Sequence, residues 1–162
     1  MKKILFALVS LFTIISFASC EKVPAPQITE AQFPFEVVYE IDGETITLSD
    51  VYVCEYEGVS WNEGFGRHRQ WKGYVKGTGT RELILLEDDS LKFAVNLGTP
   101  EYYMSDPSMA YTEEFTPYLY YIRTFESGGV SSGTAGLDEL TDRYKIKLIS
   151  CTLSKPIKNA YR

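Results

Sequence analysis

Few side chains in this sequence have the type and spacing that catalysis needs. There is one histidine, His68, between Arg67 and Arg69. A nucleophilic triad would use it as the base. Two flanking cations oppose the positive charge such a base acquires, and no G-x-S-x-G turn is present. Zinc sites draw on clustered His or Cys, and neither H-E-x-x-H nor C-x-x-C occurs. Glycoside hydrolysis needs only two carboxylates, so a glycan hydrolase using paired carboxylates stays open as the alternative reading. The adjacent acids, Asp88 with Asp89 and Glu113 with Glu114, read as solvated turn charges. Asp138, Glu139 and Asp142 lack the spacing and the glycine of a calcium loop. The run GYVKGTGT, residues 73–80, does not match a phosphate loop and reads as a turn between strands. No catalytic set, metal site or cofactor is expected.

One cluster is suited to binding rather than reaction: Trp61, Phe65, Trp71 and Tyr74. Aromatic faces on a β-scaffold stack on sugar rings or anchor protein interfaces. Arg67 and Arg69 beside them can hydrogen-bond or stack. The competing reading packs both tryptophans into the core. A second aromatic group, Tyr102, Tyr103 and Tyr111, follows Pro100 and caps the core or lines a rim.

The elements that must hold these residues are strands. Phe35, Val37, Tyr39 and Ile41 alternate with Glu36, Val38 and Glu40, the period of a half-buried strand. Asp42-Gly43 is a two-residue hairpin signal. It sets Ile41 opposite Glu44, Tyr39 opposite Ile46 and Val37 opposite Leu48, so apolar meets apolar on one face. Residues 51–56 and 69–76 are further strands. A second hairpin turns at Asp88-Asp89, pairing Leu86 with Leu91 and Ile84 with Phe93. Residues 118–125 and 144–153 are strands, 127–136 a flexible loop, and 137–143 a helical turn or two. About eight short strands with little helix predict an all-β chain, an antiparallel β-sandwich or barrel.

The chain of 162 residues suits one domain. Its net charge of −6 argues against nucleic acid, whose phosphates demand basic patches. Lys2 and Lys3 precede an apolar run, residues 4–17, broken only by Ser10, Thr13 and Ser16. That run is shorter than the about 20 residues a membrane span needs and fits a secretory leader. It ends in Phe17-Ala18-Ser19-Cys20. This segment resembles the lipobox of bacterial lipoproteins. The resemblance implies cleavage before Cys20 and a diacylglycerol on its thiol, with membrane attachment through that lipid. The chain then divides into a leader at 1–19, a lipidated Cys20 with a proline-bearing tether at 20–32, and a β-rich domain at 33–162. The run DGETITLSDVYVCEYEGVSW, residues 42–61, resembles small bacterial lipoproteins of no assigned activity. Glu21 is not the Asp that retains many lipoproteins at an inner membrane, so outer-membrane or surface display is expected. Removing the leader takes two lysines with it, and the charge moves from −6 to −8. An acidic body is weakly repelled by anionic lipid heads, so the lipid does the anchoring.

Once Cys20 is assigned to lipid, Cys54 and Cys151 remain in an exported chain. They are candidates for a disulfide or for two buried free thiols. The functional expectation is a non-catalytic module, held in the envelope by its lipid, that binds an envelope protein or glycan. The alternative is an envelope glycan hydrolase.

Overall fold

A computed structural model describes residues 22–64, 66–107, 115–134 and 144–162. Cys20, Phe65, Tyr111, Glu113, Glu114 and the helical turn expected at 137–143 lie outside the described residues. No helix among the described residues is long and apolar enough to cross a membrane.

The fold is an all-β sandwich of two antiparallel four-stranded sheets. The strands are β1 (Glu30–Ile41), β2 (Glu44–Asn62), β3 (Gly66–Val75), β4 (Leu83–Glu87), β5 (Leu91–Asn96), β6 (Tyr118–Thr124), β7 (Val130–Thr134) and β8 (Ile146–Leu153); one short helix, α1 (Pro100–Tyr103), follows β5. One sheet runs β3-β2-β1-β8 and the other β4-β5-β6-β7. The alternation in β1 places Phe33, Phe35, Val37 and Tyr39 inside, each 6% exposed or less. They join Tyr52, Cys54, Trp71 and Val75 of the same sheet and Leu83, Leu91, Phe93, Val95 and Leu119 of the other in one core.

The first hairpin forms as expected. Ile41 pairs with Glu44, Tyr39 with Ile46 and Val37 with Leu48. Asp42 and Gly43 both take positive φ, 52° and 83°, as a two-residue turn matching strand twist requires.

Several expectations are corrected. In the second hairpin Leu86 pairs with Phe93, not Leu91, and Ile84 with Ala94. The Asp88 carboxylate accepts from the backbone N–H groups of Ser90 (2.8 Å) and Leu91 (2.7 Å). That side-chain turn leaves four residues, 88–91, between the paired Glu87 and Lys92, and an irregularity between Ile84 and Leu86 absorbs part of the offset. Residues 130–134 are not loop but the edge strand β7, paired to β6. Residues 44–62 form one strand rather than two, bending at a bulge between Tyr56 and Gly58.

The tether does not run free to Gln32. Glu30 to Gln32 belong to β1. Before them, Ala25 and Arg162 exchange backbone hydrogen bonds of 3.0 Å, and Gln27 N–H donates to the Ala160 carbonyl. The Asn159 amide accepts from Ile28 N–H and donates to Ile28 O. The N-terminal segment is thus zipped to the C-terminal tail.

Of the two readings left open for the cysteines, the structure has the free thiols: Cys54 is buried and Cys151 half-buried, and they are not bonded. Cys54 pairs with Ala31, and Cys151 pairs with Val37, on opposite sides of β1. The six residue steps between those partners set the cysteines about 20 Å apart along the strand. A disulfide needs Cα atoms within about 7 Å.

Burial gives this core an alkaline weakness. It pushes the Cys54 thiol up from its ordinary 9.0 and the Cys151 thiol up to about 11. It also raises the phenols of Tyr52, Tyr103 and Tyr120 above 10.0, and takes Tyr161 to about 12. A raised folded-state pKa means that the unfolded chain releases these protons first. Their contribution to stability is intact below pH 9 and is lost as pH climbs from there toward 12. Urea midpoints should hold between pH 7 and 8.5 and fall steeply by about pH 10.5.

Candidate functional site

The four aromatic residues singled out in the sequence are not brought together. Trp71 is 7% exposed, on the inner face of β3, with its ring against Tyr56 at 5.2 Å. Tyr74 lies on the opposite face of the strand; its hydroxyl donates to Glu55 at 2.7 Å, and Lys72 sits over its ring at 5.0 Å. Trp61 is 64% exposed near the tip of the β2–β3 hairpin. Phe65 lies outside the described residues. His68 donates through Nδ1 to the carbonyl of Gly66 at 3.2 Å, within its own hairpin. Among the described residues, no three His, Cys, Asp or Glu side chains stand close enough to share a metal ion.

A charged group that sequence reasoning missed lies beneath Trp71. Arg69 is 6% exposed and Asp106 4%. The guanidinium donates from Nε (2.8 Å) and Nη2 (2.7 Å) to the two Asp106 oxygens, and from Nη1 to the Pro24 carbonyl at 3.0 Å. Trp71 Nε1 donates to the same carboxylate at 2.7 Å. The Tyr161 ring lies 4.5 Å from the guanidinium carbon, and its hydroxyl donates to Met104 O. Asp106 is aimed inward by the turn closing α1, where Thr99 caps the helix and Asp106 N–H donates to Glu101 O. The hydrogen bonds that Arg69 donates to Asp106 are the main cause holding its guanidinium above its ordinary range. The paired charges bind each other and the chain ends, so this group is an internal clasp. Both residues lie in polar stretches of sequence, 37 positions apart, so nothing local marks them as partners.

Among the described residues, three depressions that share walls lie elsewhere on the surface. The first, about 380 Å³, is bordered by Glu57, Trp71, Tyr74, Arg81 and Glu101. The second, about 260 Å³, runs from Arg81 past Asn96 to Tyr120. The third, about 200 Å³, continues from Asn96 and Tyr120 to Tyr118 and Thr134. Together they make a groove from the β3 edge across the second sheet. Aromatic rings alternate in it with an amide and a guanidinium. Asn96 donates to the Tyr118 hydroxyl at 2.9 Å. Burial, and next a hydrogen bond to Glu82, push the Tyr120 phenol up. The turn at 76–79 that presents Arg81 is pinned by Asp50, which accepts from Gly77 N–H at 3.1 Å.

Compared with family models, with curated proteins and with solved structures, the chain matches none. The groove is therefore read from its own chemistry.

One side chain behind the groove is under tension. Among the described residues, the Tyr52 hydroxyl is the one buried side-chain polar atom with no hydrogen-bond partner. It lies over Gly73, where a Cβ would meet it at 2.1 Å and Pro100 Cγ at 2.6 Å. Gly73 and Pro100 both line the first depression. Tyr52→Phe should raise stability by about 1 kcal/mol, because it removes a buried hydroxyl that gains nothing from folding. Gly73→Ala should lower it by about 1–3 kcal/mol through overpacking. Urea unfolding of the two variants measures both.

Proposed function

We propose that this protein is a lipid-anchored, non-catalytic binding module of the bacterial cell envelope. Its groove holds an extended polar ligand, and an envelope glycan is the class that fits best. The observation that carries this reading is the run of rings and polar groups along Tyr74, Arg81, Asn96, Tyr120 and Tyr118. Ring faces cover the apolar side of a sugar while an amide and a guanidinium take its hydroxyls. The groove is open along its length, which suits a polymer better than a small enclosed substrate. The lipid on Cys20 would keep such a module beside the polymers of the envelope, at the outer membrane or the surface.

A second reading, the glycan hydrolase, is favoured by one observation: Glu57 and Glu101 border the same depression. One experiment separates the two. The full chain in mild detergent is incubated with a panel of envelope glycans, and both retention and new reducing ends are measured. Retention without new ends supports the binding module. New ends that vanish in E57Q/E101Q support the hydrolase, and retention of no glycan contradicts both.

A further inference from the structure

We propose that the tip of the β2–β3 hairpin rests in the headgroup layer of the membrane that holds Cys20. This rests on the reading of Cys20 as lipidated.

β1 begins at Glu30, opposite Glu55. Beyond that point β2 pairs with β3 alone, from Tyr56 with Trp71 to Asn62 with Gly66. The hairpin therefore extends past the sandwich as a two-stranded ribbon. Near its base Trp71 and Arg69 are buried against Tyr56, Asp106 and the N-terminal segment, while toward the tip Val59 is 43% and Trp61 64% exposed.

The chain leading to the anchor is tied to the same end. Val59 stands directly across from Arg69, and Trp61 is two residues nearer the tip, across from Arg67. Arg69 holds the carbonyl of Pro24, and the next residue, Ala25, is hydrogen-bonded to Arg162. Three residues separate Pro24 from Cys20, a path of four Cα steps. Fully extended they span at most about 14 Å. A lipid on Cys20 thus brings the bilayer within that distance of the ribbon's base.

The chemistry of the tip suits that surface. Tryptophan favours the boundary between headgroup and acyl chain, where its ring is half in and its N–H stays wet. Without its leader the lipidated chain carries −8, since Lys2 and Lys3 are lost from a total of −6, and it is repelled by anionic lipid. At this end the exposed Arg67 and Lys22 balance the exposed Glu63 and Glu57, so it approaches without that penalty. A short leash and an apolar tip together would fix the tilt of the sandwich on the membrane.

The test is tryptophan quenching in vesicles. The full chain, lipidated in cells, is reconstituted into phosphatidylethanolamine and phosphatidylglycerol containing brominated acyl chains. Palmitate label on Cys20 is read from the same sample. The expected result is loss of the Trp61 emission by bromine, with W61F retaining its remaining emission because Trp71 is 7% exposed. Label present with no quenching of Trp61 overturns the inference and leaves the anchor standing. A labelled protein that runs as a dimer with Trp61 shielded from both bromine and aqueous acrylamide overturns it in favour of a second copy. Absence of label shows that the anchor reading itself has failed, and the inference falls with it.

Discussion

Asp106→Ala should destabilise the domain by about 3–5 kcal/mol, the range for removing one partner of a buried ion pair. The loss would be visible as a fall in melting temperature of roughly 10 °C or more for a domain of this size. The reason is what the substitution leaves behind. Arg69, 6% exposed, keeps its charge and loses both hydrogen bonds to the carboxylate. Trp71 Nε1 loses its acceptor as well. Water cannot replace these partners without opening the layer formed by Tyr161, Met104 and the N-terminal segment. That layer should loosen first, since Pro24 and Tyr161 are held through Arg69. Faster amide exchange at Ala25, Gln27 and Arg162 would show it. Asp106→Asn keeps an acceptor for Trp71 and should fall between the wild type and alanine.

Cys20→Ala should abolish lipid labelling completely and leave the precursor uncut. The effect is all or none because no other thiol can stand in. Cys54 is wholly buried, and Cys151 is half-buried in β8 with its thiol held protonated up to about 11. Membrane attachment should disappear with the label. Each lipid CH₂ that enters the bilayer contributes about 0.8 kcal/mol, and an acidic body has no comparable attraction of its own. Palmitate incorporation and the shift in mass on a gel measure both consequences. Normal processing of the variant would contradict the lipobox reading.

What was legible in the sequence depended on whether the deciding contacts were local. The hairpin at Asp42-Gly43 was readable to the register because turn chemistry and alternation point to the same pairing. The hairpin at Asp88 slipped by two because one carboxylate lengthened its loop, a detail that alternation cannot carry. Trp71 was weighed as a ligand platform because its partner, Asp106, is 35 residues away. The choice between disulfide and free thiols stayed open for the same kind of reason: both cysteines were placed on strands, but only their register against β1 shows that they lie far apart. The zipper between the N-terminal segment and the tail joins residues 131 positions apart, beyond the reach of any periodicity. Of the candidate site, Tyr74 and Trp71 were found as residues. Arg81, Asn96, Tyr118 and Tyr120 were missed as a group because the two sheets bring them together only through the fold.

The most direct measurement is the affinity of the full chain for the glycan it retains best, set against that of R81A/Y118A. Both residues are exposed, so the variant should fold normally and unfold at the wild-type midpoint. A groove that binds through ring and guanidinium contacts predicts at least a tenfold weaker Kd, about 1.4 kcal/mol. An unchanged Kd in the folded variant would contradict the assignment of binding to this groove.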